Sequence, residues 1–290
     1  MDRRAFLSAV GACAAALAGC TGSPTGTTPT TPGEPTRTAT VDSTPPTDAE
    51  STPTMRGPRA GDGLPDDDTP DDGYPPTFDT MPASRSIDTA SFRTISRDGE
   101  AVPLAPIEAA YYWYARGEAR FADARGAGQY ETSHIYGAAW SPYDGSREND
   151  PAEEWSTDDR IVCYCGCPTH LSSIRAADLI ANGYTDVSVI AEGFWEWTDR
   201  NYPIAGADVQ SRPALRVIQG RVDARHAGET AWARHDPTGQ VEATEIGPDG
   251  RFELHLRFAD VDAAAEVTVS TPGYRVTAPL VDLTDGVVTA

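Results

Sequence analysis

Between Ile161 and Ile190 the chain runs from an apolar stretch, IVCYC, through a tight cysteine loop and a helical pattern into a second apolar stretch, DVSVI. From Ser172 to Asn182, Ile174, Ala177 and Ile180 share one helical face, and Gly183 stands where a C-cap belongs. Upstream, Ile107 to Arg116 reads as an aromatic helix opened by PIEA and closed by Gly117, and ARFADA reads as a further strand. Short strands alternating with helices predict an α/β fold with a parallel sheet and helices on both faces. Ligand sites in such sheets lie outside the carboxyl ends of the strands.

Cys165 falls at such an end. A cysteine there, ahead of a helix N-terminus, meets unpaired backbone N–H groups and the positive end of the helix dipole, which favour thiolate over thiol. Its chemistry requires a sulfur that is anionic and reachable from bulk solvent. Cys163 lies on the same strand face one step deeper and reads as packing. Cys167 admits three readings. It is a resolving thiol for a persulfide or sulfenic acid on Cys165, or a copper(I) or zinc ligand together with Cys163, Cys165 and His170, or a plain loop residue. No metal is assigned, because alternate strand residues and a tight loop fold poorly round a tetrahedral ion. His170 is either a partly charged substrate group or a solvated loop histidine. Arg175, inside the helix, is expected in a surface ion pair, and Trp195 and Trp197 in the core or a pocket wall.

Three further segments join this loop: FADAR at Phe121 to Arg125, HIYGA at His134 to Ala138 preceded by Tyr130 and Glu131, and GYTDVSVIAEGFWEW from Gly183 to Trp197. In this order they resemble the rhodanese family from roughly Ile107 to Ile204. The resemblance implies a sulfane sulfur carried as a persulfide on Cys165. It is cradled by Gly166, Cys167, Thr169, His170, Leu171 and Ser172, with Asp123 and Arg125 as structural support. The reaction so implied is sulfur transfer from a small donor to a thiol acceptor, without a cofactor. The loop departs from the family where His170 replaces the usual arginine or lysine, and Ser172 and Ser173 imply one inserted residue. That change argues against thiosulfate as donor and against phosphoryl chemistry, both of which want a fixed guanidinium. The alternative left open is an inactive module of the same fold that binds a partner or undergoes thiol oxidation.

The N-terminus, DRRAFL followed by a short apolar run, looks like a twin-arginine export signal, and LAGC resembles a lipobox ending at Cys20. The expectation is a protein exported and lipid-anchored through Cys20 to the outer face of the membrane, with signal 1–20. Residues 21–91, rich in Thr, Pro and Asp, are predicted to form a disordered tether, since such composition cannot bury a core. Cys163, Cys165 and Cys167 are then too few and too close for a disulfide framework. The net charge is -21, and all 23 basic residues are arginine. This composition resembles that of proteins from extremely halophilic archaea, and it argues against nucleic acid as a partner.

Two folded parts remain, a rhodanese-like domain at 92–210 and a β-domain at 211–290. Beyond Pro213 the pattern has period two: LRVIQGRV, QVEATEI, RFELHLRF, AEVTVS and YRVTAPLV, broken by PTG, PDG and TPG. It predicts a helix-free antiparallel sandwich, faintly similar to carboxypeptidase-regulatory-like or transthyretin-like domains. That part is read as a spacer or a surface for a protein partner, with His226, His235 and His255 at its surface.

Overall fold

The computed structural model describes residues 72–78 and 80–290, all within the compact unit Pro53–Ala290. The export signal, Cys20 and most of the tether lie outside the described residues. From Asp72 the chain already packs on the fold, against the expectation of a free tether to Ser91. Gly73 is buried beneath Trp155, Phe78 lies 5.7 Å from the ring of Tyr114, and Arg85 sits 4.8 Å over Tyr112. The few apolar side chains of this stretch, Phe78 and Ile87, are the ones that dock.

Strands β1 (Arg93–Arg97) and β2 (Glu100–Ala105) form an antiparallel hairpin. Its turn is made by Asp98 and Gly99, both at positive φ. The rest of the first part follows as α1 (Ile107–Arg116), β3 (Arg120–Asp123), α2 (Ala127–Thr132), β4 (His134–Ile135), β5 (Ala139–Trp140) and β6 (Arg160–Tyr164). Next come α3 (His170–Ala181), β7 (Asp186–Ile190), α4 (Phe194–Asp199) and β8 (Ile204–Ala205). The main sheet has six strands in the order β1-β2-β7-β6-β3-β5 and is parallel from β2 onward. One face packs on α1 and α4, where Trp197 is fully buried with Tyr111, Tyr114 and Tyr202 at its edges. The other packs on α3, through Ala176, Ala177 and Leu179.

Arg175 corrects the expected surface pair. It is buried on α3 and donates to Asp150 Oδ2 at 3.0 Å, to Ser141 Oγ at 2.8 Å and to Asp178. Asp150 in turn accepts from Ser141 Oγ and Ala152 N–H, so both ions trade water for a full set of partners.

The second part comprises β9 (Arg216–Arg221), β10 (Thr230–His235), β11 (Gln240–Glu245), β12 (Arg251–Leu256), β13 (Glu266–Ser270) and β14 (Arg275–Pro279), then α5 (Leu280–Thr284) and β15 (Val287–Val288). Sheets β11-β10-β13-β14 and β12-β9-β15 enclose one core of Ile218, Leu254, Leu256, Ala233, Val267 and Val269. It is not helix-free, because α5 closes the core with Leu280 and Leu283, and β15 pairs with β9 in the parallel sense. Both elements are too short for periodicity to reveal. His235 is buried rather than exposed, with Nδ1 2.7 Å from Thr238 Oγ1.

Replacing Asp150 with Ala takes away the one buried carboxylate among the Arg175 partners and leaves the exposed Asp178 and Glu153, and is expected to cost up to about 3–5 kcal/mol. Urea unfolding should show a lower midpoint at unchanged slope; a midpoint within error of wild type would refute the assignment.

Candidate thiol site

Cys165 follows β6 directly, and Phe194 N–H holds its carbonyl at 2.9 Å. The chain then doubles back through Gly166, Cys167 and Pro168 to Thr169, whose φ of 71° is left-handed, and enters α3 at His170. Gly193 makes this turn possible, since a Cβ there would lie 3.0 Å from the Cys167 carbonyl group.

The fold places the Leu171 and Ser172 N–H groups, at the start of α3, on the Cys165 sulfur. Ser172 Oγ lies 3.3 Å from Sγ and the Cys167 carbonyl oxygen 3.0 Å from it. Burial alone pushes this thiol up. Hydrogen bonds from the Cys167 thiol, the Ser172 hydroxyl and the Ser172 and Leu171 N–H groups outweigh burial and bring it down to about 7. The Cys167 carbonyl acts the other way, because it can accept only from the thiol form, so the two protonation states stand close in energy near neutrality. Cys163, by contrast, lies inside the core between the sheet and α3 with Leu179 and Val189, and burial pushes it to about 12.

One expectation fails. Cys165 is 0 % exposed. It packs with Leu171, Ala124 and Tyr143, and with Val241 and Ala243 of β11. Strand β11 is the outer strand of its sheet, and its open edge lies across α2 and α3. Gln129 on α2 accepts the Val241 N–H at 3.0 Å. The approach is backbone to backbone: a Cβ at Gly126 would meet Gly239 O at 1.9 Å, and one at Gly128 would meet Thr238 O at 2.0 Å. A cleft lined by Gly126, Trp140, Tyr143, Arg234 and Val241 opens at this seam without Cys165 among its walls.

The same strand delivers Glu242, which the sequence gave no reason to single out. Its Oε1 accepts from Gln129 Nε2 at 3.3 Å, and Cys167 Sγ donates to Oε2 at 3.4 Å. It covers Gly166 so closely that a Cβ there would lie 2.8 Å from Oε1. Burial, then the charge of Cys165, push Glu242 up to about 8. Cys167 is held well above the ordinary thiol range by its hydrogen bond to Cys165, by burial and by Glu242.

His170 is not an imidazolium facing substrate. Its Nδ1 lies 3.1 Å from Cys167 Sγ, and burial together with Arg97 and His255 lowers it to about 4. The four-ligand soft-metal alternative is not assembled, since Cys163 is locked in a separate core. Among the described residues, no group of three or more His, Cys, Asp or Glu is arranged to hold an ion.

Asp123 and Arg125 form a buried pair at 2.6 Å at the end of β3. Asp123 also accepts the Arg125 N–H, and Arg125 donates to Ser133 O. The guanidinium lies 4.1 Å over the Phe194 ring. It is committed to carboxylate, backbone and ring contacts and is not a free cation for the loop. Trp195 forms a wall, 3.3 Å from a Cβ placed on Gly166, with Arg212 and Arg257 over its ring.

Residues 108–200 match the family model described as the Rhodanese-like domain. No curated protein matches the chain. Among solved structures, the rhodanese-like domain of an Anabaena protein is 20 % identical, with TM-score 0.35, covering 39 % of this chain and 85 % of that one. A human single-domain sulfurtransferase is 21 % identical, with TM-score 0.31, covering 34 % of this chain and 96 % of its own. A thiosulfate sulfurtransferase from Pseudomonas aeruginosa is 21 % identical, with TM-score 0.32, covering 36 % of this chain and 20 % of that one. The cysteine loop, Asp123 and Arg125 all lie within the matched segment.

The site sets a pH dependence. Glu242 rises from its ordinary 4.5 to about 8 on folding, so between these values the folded chain holds the extra proton. Its contribution to stability is whole below 4.5 and is lost as pH rises through 8. Cys165 moves oppositely, from 9.0 to about 7, so its contribution grows only above about 7. Wild type should therefore lose stability relative to Glu242→Gln between about pH 5 and 7 in urea titrations. Parallel pH curves would show that the carboxyl is not held protonated.

Proposed function

We propose that this chain is a rhodanese-like sulfane-sulfur carrier in which Cys165 accepts sulfur as a persulfide. The observation that carries the reading is the seat of the Cys165 sulfur at the start of α3, with the Ser172 hydroxyl 3.3 Å away, where helix N–H groups favour the thiolate. A thiolate so placed attacks the outer sulfur of a donor. The new S–S bond forms as the donor's own S–S bond breaks, and the donor leaves as a thiolate. The match of residues 108–200 to the rhodanese-like model supports the same chemistry.

The surroundings narrow the donor. Thiosulfate brings a sulfonate that needs a fixed cation, yet His170 is neutral and Arg125 is held by Asp123. A small organic persulfide, transferring sulfur without a sulfonate, suits this loop better. Access to Cys165 requires β11 to move aside, and slow carriage rather than rapid turnover follows from that. In this reading the N-terminal signal and Cys20 place the protein on the outer face of the membrane, where donor and acceptor are extracellular thiol compounds.

The burial of Cys165 favours a second reading, a thiol module of this fold that takes up no sulfur. Intact mass after exposure to glutathione persulfide decides between them. In a Cys167→Ser background, where no second thiol competes for the sulfur, the carrier gains one sulfur atom, added Cys163→Ser leaves that gain intact, added Cys165→Ser abolishes it, and thiosulfate loads far less. No added sulfur in the Cys167→Ser background, or equal loading when Cys165→Ser is added to it, would sink the carrier reading.

A further inference from the structure

The closed loop raises the question of what takes the sulfur from Cys165. An external acceptor thiol, like the donor, reaches Cys165 only when β11 moves aside, because Cys165 is 0 % exposed and Glu242 and Trp195 leave no room above Gly166. A nucleophile is already inside. Cys167 is separated from Cys165 by Gly166 alone, packs against the same buried cluster, and its carbonyl lies 3.0 Å from Cys165 Sγ. It also has what a nucleophilic thiol needs, a neutral imidazole in hydrogen-bonding reach, His170 Nδ1 at 3.1 Å. On its other side Glu242 Oε2 lies 3.4 Å away. Nothing in sulfur loading at Cys165 requires this pairing.

We infer that Cys167, activated by His170, is the internal acceptor that discharges the Cys165 persulfide as hydrosulfide. Cys167 Sγ attacks Cys165 Sγ and a Cys165–Cys167 disulfide forms. The bond from Cys165 Sγ to the outer sulfur breaks, and that sulfur leaves with the electron pair. The sulfane sulfur gains two electrons, which the two thiols give up. The Cys167 proton is relayed through His170 Nδ1 to the leaving sulfur in the same step, since so weakly basic an imidazole does not retain it, and it departs with the sulfide. No outside oxidant or reductant enters this step; a thiol reductant afterwards returns the disulfide to two thiols. The inference rests on persulfide formation at Cys165 and adds its fate, which makes the site a sulfide-releasing dithiol rather than a donor to outside thiols.

The experiment uses the reduced full chain, freed of small thiols under anaerobic conditions and given one equivalent of glutathione persulfide. Sulfide release and intact mass are followed together, with rapid alkylation in denaturant. Wild type should release one equivalent of sulfide and end two hydrogens lighter, its disulfide mapping to Cys165 and Cys167. Cys167→Ser should keep the added sulfur and release none. His170→Gln should slow release from the loaded chain by about a hundredfold or more and alter its pH profile. Release from Cys167→Ser at the wild-type rate, or a stable persulfide on wild type, overturns the inference alone. Absence of added sulfur on Cys167→Ser overturns the carrier reading and this inference with it.

Discussion

The sulfur of Cys165 is asked to carry charge while shut away from water, and the remainder of the site answers that demand. Removing an ion from water costs several kcal/mol unless nearby dipoles replace the lost hydration. Here the replacements are the first N–H groups of α3 and the Ser172 hydroxyl, all fixed by the helix and unable to turn away. Because they are preorganised, they stabilise the thiolate without further ordering. The consequence reaches the neighbours. Two more acids lie against the same charge, and both hold their protons: Cys167 as a thiol and Glu242 as a carboxylic acid. One negative charge is shared among three acids, and a neutral imidazole beside Cys167 is the nearest place for a proton to go.

The lid over this charge also solves a separate problem. An outer strand exposes unpaired N–H and C=O groups and invites pairing with other chains. In β11 that edge is turned inward, where the Gln129 carboxamide accepts the Val241 N–H and also the Gly126 N–H. The glycines at 126 and 128 allow the β10–β11 turn to touch the start of α2 directly. The second part is thus a cover whose seat is built into the first, which is more than the spacer that its alternating pattern suggested.

Legibility in the sequence tracks the range of the interactions. Helix α1, strand β7 and the β6–α3 loop could be read because a few adjacent residues decide them: apolar period, a capping glycine, a cysteine before a helix. Strand β10 was missed since TAWARH mixes arginine and histidine into its alternation, though Ala231 and Ala233 do face the core. Helices α2 and α4 are too short to show a period. Glu242 was illegible for a different reason. Nothing within QVEATEI distinguishes it from Glu245, and its role comes from Cys167 and Gln129, far away in the chain. Arg175 misled because a charged helical residue usually faces water; the Asp150 that neutralises it sits in an irregular segment between β5 and β6.

The composition of the whole chain sharpens what a closed site does. A net charge of -21 repels small anions, and three of the arginines around the loop already hold carboxylates. Arg125 is bound to Asp123, Arg175 to Asp150, and Arg212 to Asp199 beside Trp195. An anionic donor would be opposed by the global field, and at the loop it meets the neutral carboxyl of Glu242. Hydrosulfide, formed inside, meets the same field in reverse and is driven outward. A buried thiolate, an internal thiol nucleophile and an acidic exterior therefore favour the same direction of flow, with sulfur entering on an organic carrier and leaving as a small anion.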